Sequence, residues 1–360
     1  MLRVEKEKME SFLKDLFIHM GLEEKHSKTS AQVIIQADMT GVPTHGIAKV
    51  PYYAMRYKNE AVNKKPDIRQ LNEGLNQILL DGDNGSGLVV GPRALELCIN
   101  LAKDNGMASV AVKNSSHYGC GNYYGWKLAE AGLIGIVFTN TAPLMAPFGG
   151  KERSLGTNPI TIAVPSKERF PIVLDMATSM AAYGKIQIAA AADETIPKDW
   201  ANDSEGVPTN DPQMALDGTL QAFGGHKGYG LAVIVEAFTA LLTGSPFGGR
   251  ITTMEELAGK KEEAISHFFM AIDPKGFSSG FDFYSYVDSY IDYIKNTEKA
   301  KGVEEIYLPG ELEFRRFEEA TAKGVSIRDE QLDRLLVLAK ELNLCPDSTV
   351  SIIDFINSKY

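Results

Sequence analysis

Residues 106–164 read GMASVAVKNSSHYGCGNYYGWKLAEAGLIGIVFTNTAPLMAPFGGKERSLGTNPITIAV, and they carry the strongest signal for the fold. Apolar runs of strand length alternate here with polar, glycine-rich turns, and the runs are Met107–Val112, Leu133–Phe138 and Ile160–Val164. Continuous apolar runs between turns are typical of strands that are buried on both faces of a sheet. The stretch therefore predicts neighbouring strands inside an α/β protein.

Polar residues stand where these strands begin or end. His117 lies in the turn Ser116–Gly119, Thr139–Asn140 follows the second strand, and Gly156–Pro159 precedes the third. Binding and catalytic side chains of α/β proteins commonly lie at strand ends. We expect this edge of the sheet to form the floor of an active site.

The whole chain has the composition of an ordinary globular protein with two or three domains. It has 360 residues, of which 44% are hydrophobic and 23% charged. The net charge of −10 argues against nucleic acid or membranes as the main partner, although a local basic patch stays open. Three cysteines without metal-ligand spacing indicate a reducing cytoplasm. We predict a cytoplasmic protein, because no targeting segment is visible and the apolar stretch Leu231–Leu242 is too short to span a bilayer.

The N-terminal part of the chain predicts helices around a turn with candidate catalytic groups. Apolar spacing predicts helices over about 5–20, 27–39 and 46–59. His45 stands at the start of the third helix, with Lys49 and Tyr53 following on the same predicted face. Together these side chains can hold a carboxylate and move a proton. The alternative is a surface histidine on an exposed helix.

A glycine-rich loop follows the next predicted strand, at residues 77–81. Gly82–Gly87 leads into a predicted helix over 91–103. The spacing is not G-x-G-x-x-G, and no acidic residue marks the end of an obvious second strand. We therefore exclude a Rossmann fingerprint and expect a tight turn.

Two later turns are candidates for binding phosphate. Asp175–Ser179 joins a predicted strand to a helix that ends near residue 192, and its N–H and hydroxyl groups can meet a pyrophosphate. A capping turn, with Thr178 or Ser179 as N-cap, is the interpretation that the residues alone favour. Lys227 stands among four glycines at the start of an apolar helix, which is a suitable position for meeting an anion.

The remaining segments predict how the chain divides. Three prolines predict a surface excursion over 193–220. Further helices are expected over 251–266, 281–299 and 329–343, and a further strand over 267–272. Because both ends are rich in helix, we predict a helical domain from residues 1–65 plus 300–360. It flanks the sheet domain of residues 66–299, in which 190–270 form a possible cap.

The motifs also limit the chemistry. Neither metal-ligand spacing nor a nucleophile elbow occurs in the sequence, so we predict no metal site and find little support for nucleophilic catalysis. General acid–base catalysis by His45 or His117 is the most economical interpretation. Both lie in glycine-flanked polar turns, and imidazole titrates near neutral pH.

Taken together and in order, these motifs resemble the malate/L-lactate dehydrogenase family from about Met9 to Leu342. The motifs that carry the resemblance are Thr44–Gly46, Asn114–Gly119, Thr139–Asn140, Met145–Gly150, Leu155–Pro159, Asp175–Ser179, Gly184–Ile186, Phe223–Gly230 and Pro309–Glu311. The resemblance implies an NAD(P)-dependent oxidoreductase that interconverts a small 2-hydroxy acid and a 2-oxo acid by hydride transfer. NAD is the expected cofactor, with NADP as the alternative.

The resemblance also implies a fold and an assembly. It implies an α/β protein with a non-Rossmann cofactor domain on a mixed, largely antiparallel sheet, beside a helical domain built from both termini. It further implies a homodimer with the site near the subunit interface.

Individual roles follow from the same resemblance. His45 is implied as the proton donor and acceptor, oriented by the Thr44 hydroxyl, and His117 as the second catalytic histidine. Lys49 and Tyr53 match substrate-contacting positions. The implied cofactor contacts are Thr141, Asp175, Met176, Ala177, Thr178, Ser179, His226, Lys227, Pro309, Gly310 and Glu311.

Four positions depart from the family's usual pattern. The usual turn is Asp-Ser-His-Gly with a later Arg, whereas this chain has Pro43–Thr44 and Lys49. Lysine lacks the bidentate fork that arginine offers to a carboxylate. His226 stands where the family has tyrosine. These departures keep open a different substrate, or a cofactor- or metabolite-binding member that has lost catalysis.

Overall fold

The computed structural model describes residues 2–253, 256, 259, 261–345 and 351–360. Its helices are α1 (Lys6–His19), α2 (Glu24–Met39), α3 (Val50–Lys58), α4 (Gly87–Asn105), α5 (Gly121–Glu130), α6 (Tyr183–Ala192), α7 (Pro212–Asp217), α8 (His226–Glu236), α9 (Phe283–Lys295), α10 (Glu311–Lys323), α11 (Asp329–Glu341) and α12 (Ile352–Lys359). Its strands are β1 (Leu2–Val4), β2 (Arg69–Gln70), β3 (Gln77–Asp81), β4 (Met107–Ser115), β5 (Ile134–Thr139), β6 (Pro143–Met145), β7 (Leu155–Gly156), β8 (Ile160–Val164), β9 (Ile172–Met176), β10 (Ala201–Asn202), β11 (Pro208–Thr209), β12 (Thr219–Leu220), β13 (Ile265–Ile272) and β14 (Val325–Ile327).

The central sheet has the strand order β2-β3-β4-β13-β5-β8-β9. The pairing of β3 with β4 is parallel, whereas the other neighbouring strands in this sheet pair antiparallel. The predicted fold class, a mixed and largely antiparallel sheet rather than a Rossmann fold, is therefore confirmed. Because β13 lies between β4 and β5, His267 pairs with Val112 on one side and Thr139 on the other.

A second, smaller sheet has the order β11-β10-β12-β6-β7. It occupies part of the segment that was predicted to be a polar surface excursion, and that prediction is wrong in part. Ile196, Ala201 and Leu220 are buried in a separate apolar cluster with Met145 and Ile186. A strand of two residues is too short to show an alternating apolar pattern in the sequence, so these strands are recognised only from their pairing in the structure.

The helices from both ends of the chain share one apolar core. Helix α1 packs on α2 and α12, α11 packs on α3, and β1 pairs antiparallel with β14. The fully buried side chains of this region include Phe12, Leu16, Ile34, Leu335 and Ile356. The same cluster also contains Val110 and Phe269 of the central sheet, and the division into a helical and a sheet domain stays a prediction. Within the described parts of the chain, every helix is too short or too polar to cross a lipid bilayer.

Some predicted boundaries differ from the structure. Helix α2 begins at Glu24, and α6 begins at Tyr183 with Ala182 as its N-cap. Thr178 and Ser179 therefore do not cap a helix, and the favoured capping interpretation is wrong. The predicted helix over 251–266 is wrong at residues 251–253 and 261–264, which form no regular element, and at residues 265–266, which begin β13. Residues 254, 255, 257, 258 and 260 of that prediction lie outside the described residues.

Candidate active site

The turn that carries Thr44 and His45 is held by a carboxylate from α2. Asp38 Oδ2 accepts a hydrogen bond of 2.6 Å from the Ile47 amide, where a 3₁₀ turn begins before α3. A Cβ atom on Gly46 would lie 2.1 Å from the same oxygen, so only glycine fits there. Burial raises the pKa of Asp38 to about 7. Sequence analysis missed this contact, because an aspartate nine residues before its partner forms no known motif.

The structure brings the two predicted catalytic histidines together. The His45 and His117 rings stack with centroids 5.5 Å apart and planes inclined by 24°. His45 comes from the turn before α3, and His117 from the turn between β4 and α5. Two imidazoles from separate parts of the chain therefore face one site.

The hydrogen bonds of His117 fix the position of its proton. Its Nδ1 atom lies 2.7 Å from the Tyr53 hydroxyl and 3.3 Å from the Gly119 amide nitrogen. A backbone amide can only donate, so Nδ1 accepts and the neutral ring carries its proton on Nε2. Burial holds the pKa of His117 well below its usual value, and the Lys49 charge and His45 lower it further. His117 thus offers an N–H donor.

His45 has a hydrogen-bond contact at Nδ1, which leaves its Nε2 atom for proton transfer. Its Nδ1 atom lies 3.0 Å from the Thr44 hydroxyl, the orienting contact that was expected. Burial lowers the pKa of His45 to about 4, and the Lys49 charge acts in the same direction. The ring is therefore neutral at pH 7. When Nδ1–H donates to Thr44, the lone pair on Nε2 is available to accept a proton.

Lys49 and Tyr53 point in different directions within this site. The Lys49 Nζ atom lies 4.3 Å from the ring centroid of Tyr52, whereas the Tyr53 hydroxyl binds His117. The predicted common face of His45, Lys49 and Tyr53 stays a prediction, although both histidine contacts lie at this end of α3. Burial lowers the pKa of Lys49, and the Glu263 carboxylate opposes that effect.

Glu263 is a buried carboxylate that sequence analysis missed. Its Oε2 atom accepts a hydrogen bond of 2.7 Å from the His117 amide, and its Oε1 atom accepts one from the Tyr52 hydroxyl. The guanidinium of Arg56 lies 3.4 Å from Oε1, and both side chains are almost fully buried. Nothing in the sequence indicates these partners, because Glu263 lies 146 residues from His117.

His267 lies in a buried network next to the site. Its Nδ1 and Nε2 atoms lie 2.8 Å from the Thr139 hydroxyl and 2.9 Å from the Ser115 hydroxyl. Its ring stacks on Tyr118 at 4.7 Å. Burial lowers the pKa of His267 to about 3. Sequence analysis found no context for this histidine, because its partners come from two strands that pair with β13 only in the fold.

The His267 network predicts a pH dependence of stability. The pKa of His267 is about 6.5 in the unfolded chain and about 3 in the folded protein. Between these pH values, His267 therefore binds a proton in the unfolded chain but not in the folded protein. The free energy of unfolding should therefore fall as pH drops from about 6.5 toward 3, by about 1.4 kcal/mol per pH unit from this residue. We expect His267→Gln to flatten that slope in urea unfolding. The exposed His19→Gln is the matched control, and equal slopes in both variants would contradict the assignment.

A cavity of about 250 Å³ joins the predicted cofactor segments to the catalytic turn. Asp175, Pro309 and Gly310 line it together with Val42, which lies in the same turn as His45. The other lining residues are Asn122, Trp126, Val173, Leu174, Tyr307, Leu308, Leu312 and Glu313. The structure thus places two distant predicted segments around one opening.

The two acidic residues of these segments are engaged inside the protein. Asp175 accepts hydrogen bonds from the Asn122 amide at 2.8 Å and from the Thr161 hydroxyl at 2.8 Å, so it caps α5. Glu311 is buried and pairs with Lys295 and Arg315. Both carboxylates therefore already have partners within the protein.

The other predicted cofactor residues occupy two places. The Thr141 hydroxyl accepts from the Thr157 amide at 2.9 Å, and the Thr178 hydroxyl donates to the Thr157 carbonyl at 2.9 Å. His226 and Lys227 are exposed at the N-terminus of α8. They adjoin a second cavity of about 350 Å³, which is lined by residues 146–151 and residues from other loops, including Gly225 and Tyr229. Asp175, Pro309 and Gly310 thus line the first cavity, whereas Thr141, Thr178, His226 and Lys227 line neither of the two.

Comparison with known proteins identifies a family. Residues 4–336 match the family described as malate/L-lactate dehydrogenase. The chain is 40% identical over 332 residues to L-sulfolactate dehydrogenase of Methanocaldococcus jannaschii, covering 92% of this chain and 94% of that protein. It is 36% identical over 350 residues to malate dehydrogenase of Pyrococcus abyssi, covering 95% of each.

The fold agrees with a solved structure of the same kind of enzyme. The structure of sulfolactate dehydrogenase from Methanocaldococcus jannaschii superposes with a TM-score of 0.87 at 38% identity. The match covers 95% of this chain and 98% of that one. Sequence and fold therefore point to the same set of relatives.

Proposed function

This chain belongs to the malate/L-lactate dehydrogenase family, and from that premise we propose that it interconverts a small 2-hydroxy acid and the matching 2-oxo acid with His45 as the acid–base group. Members of this family are NAD(P)-dependent 2-hydroxy acid dehydrogenases, so the chain is an oxidoreductase with a nicotinamide cofactor. The observation that carries the proposal is the stacked pair of His45 and His117 beside the half-buried Lys49.

The residues present suit a nicotinamide cofactor at two places. The cavity of about 250 Å³ offers backbone groups of Pro309 and Gly310 next to the catalytic turn. At the N-terminus of α8, two glycines with positive φ precede the exposed Lys227, an arrangement that attracts phosphate. We propose that these segments, with Thr141 and Asp175–Ser179, hold the cofactor. When bound, it would supply or accept a hydride at C2 of the substrate.

The side chains of His117, His45 and Lys49 would bind the substrate and move its proton. His117 donates its Nε2–H to the carbonyl or hydroxyl oxygen of the substrate, because its Nδ1 is occupied by Gly119 and Tyr53. His45 then takes the hydroxyl proton on Nε2 during oxidation and returns it during reduction, oriented by Thr44. Lys49 binds the carboxylate of the substrate as a single cation.

The Pro309–Gly310 turn gives a prediction with a matched control. Gly310 has a φ of +84°, and a Cβ atom there would lie 2.8 Å from the Val173 carbonyl oxygen. Gly302 has a φ of +83° with open space around it. Both alanine variants should lose about 1–2 kcal/mol of stability for the left-handed backbone. We expect only Gly310→Ala to lose more and to bind NADH less tightly in a fluorescence titration. Equal behaviour of the two variants would contradict the role of this turn.

A screen of coenzyme oxidation tests the proposed function. Purified protein is incubated with NADH or NADPH and with oxaloacetate, pyruvate or sulfopyruvate, and the reverse reactions are run with malate, lactate, sulfolactate and ureidoglycolate. We propose NAD as the cofactor, although both coenzymes share the nicotinamide and pyrophosphate that these segments would hold. Turnover of at least one acid supports the proposal. Tight NADH binding without turnover would favour a binding protein that has lost catalysis.

We also propose a homodimer, supported by one exposed apolar face. The exposed apolar side chains of α8 and its π-helical continuation are Leu231, Val233, Ile234, Phe238, Leu241 and Leu242. Contiguous exposed apolar surface is typical of subunit interfaces. A cytoplasmic location is proposed as well, because Cys98, Cys120 and Cys345 are free thiols.

The apolar face predicts the effect of a single charge on assembly. Leu241→Glu should convert a dimer into a monomer in size-exclusion chromatography with light scattering, since a buried unpaired carboxylate is costly. Val337→Glu, at an exposed apolar position on α11, is the control and should leave the mass unchanged. A monomeric wild-type protein would refute the proposed dimer.

A further inference from the structure

We propose that Glu263 is the positioning residue of this active site: its carboxylate joins the His117 turn to Tyr52, the tyrosine of α3 over which the Lys49 ammonium lies. This inference rests on the proposed function. It is based on two hydrogen bonds that Glu263 accepts, from the His117 amide and from the Tyr52 hydroxyl, and on the burial of its carboxylate.

The two oxygens of Glu263 serve different parts of the site. Oε2 accepts from the His117 amide, which fixes the turn that presents the imidazole. Oε1 accepts from the Tyr52 hydroxyl, and the Tyr52 ring lies 4.3 Å below the Lys49 ammonium. The Glu263 side chain thus sets the distance between the hydrogen-bond donor His117 and the Lys49 cation. Precise placement of reacting groups is a large part of catalytic rate.

The charge of Glu263 has a second effect. The titratable and charged groups that face Lys49 are His45, His117, Tyr52, Tyr53, Arg56 and Glu263. Burial lowers the pKa of Lys49, whereas Glu263 raises it. Without a nearby anion, a half-buried ammonium next to two histidines would lose its proton more readily. Arg56 also ion-pairs with Glu263, which holds the carboxylate in place from the side of α3.

The experiment compares Glu263→Gln with Glu262→Gln. Glutamine keeps the shape and an acceptor but removes the charge, and Glu262 is an exposed neighbour that undergoes the same change. With the 2-oxo acid found in the screen, we expect Glu263→Gln to raise KM about tenfold, with a smaller change in kcat. The alkaline pH at which KM begins to rise should fall, because Glu263 no longer raises the pKa of Lys49. Glu262→Gln should match the wild type.

Each outcome decides a different question. A Glu263→Gln protein with wild-type KM and pH profile overturns the inference while leaving the proposed function standing. A protein with only a lower Tm and unchanged kinetics shows a structural role and overturns it as well. A wild-type protein that turns over no acid refutes the proposed function instead.

A second variant covers the case in which Glu263→Gln does not fold. Tyr52→Phe keeps the ring under Lys49 and removes only the hydroxyl that binds Glu263. If the hydrogen bond between Tyr52 and Glu263 positions Lys49, KM should rise severalfold, as in Glu263→Gln, because a lost hydrogen bond costs about 1 kcal/mol. Tyr123→Phe, at another buried tyrosine, is its control, and equal kinetics in both would overturn the inference.

Discussion

His45→Gln should lower kcat about 10²–10⁴-fold while leaving KM for the 2-oxo acid within a few fold, because general acid–base groups contribute rate of that size. Glutamine keeps a polar side chain in the turn but cannot exchange a proton. Initial rates of NADH oxidation measure the effect. His19→Gln, at an exposed position on α1, is the control and should keep wild-type rates. Undiminished kcat in His45→Gln would remove this residue from the mechanism.

The pH dependence of kcat/KM in the wild type tests the same role of His45. Oxidation of a hydroxy acid needs neutral His45, whose pKa is lowered to about 4. The kcat/KM for oxidation should therefore be flat from about pH 5 up to the alkaline pH at which Lys49 loses its proton, and it should fall tenfold per unit below the pKa of His45, since kcat/KM reports groups of the free enzyme. That acidic limb should vanish in His45→Gln.

Lys49→Met should raise KM for the substrate about 10–100-fold with a smaller effect on kcat, because a charge-assisted hydrogen bond contributes about 1.5–3 kcal/mol. Methionine keeps the apolar stem over the Tyr52 ring and removes only the charge. Steady-state kinetics over a range of substrate concentrations separate the two constants. Lys49→Arg should recover much of the affinity, because it restores a cation with a bidentate fork.

The control for this prediction lies on the same helix. Lys58 is exposed at the end of α3, so Lys58→Met removes an equal charge far from the histidine pair. It should leave KM unchanged. If Lys49→Met and Lys58→Met give the same KM as the wild type, the substrate carboxylate binds elsewhere.

The turn of His45 and the strands around His117 were accessible from the sequence because their signals are local. His45, Lys49 and Tyr53 lie within nine residues, and His117 follows directly from an apolar strand. A missing glycine fingerprint was enough to exclude a Rossmann fold, and the largely antiparallel sheet agrees. Local spacing therefore located the groups that we propose to face the substrate.

The supporting residues could not be predicted, because their partners are distant in the chain. Glu263 reaches His117 across 146 residues, and His267 reaches Ser115 across 152. The pattern around Glu263 predicted a helix, whereas this residue lies just before β13 and its carboxylate is buried against Arg56. Asp38 and the threonine hydroxyls around Thr157 are set by tertiary contacts in the same way. Burial of a polar group has no signature in a single sequence.

A crystal structure with NADH and oxamate, an unreactive amide isostere of pyruvate, tests the central claim most directly. The claim is that His45, His117 and Lys49 converge on one substrate. We predict that the oxamate carboxylate binds Lys49 Nζ, its amide group lies within hydrogen-bond distance of both imidazoles, and the nicotinamide ring adjoins it. Oxamate bound away from the two histidines, or a nicotinamide ring outside the cavity between Asp175 and Pro309, would contradict this account.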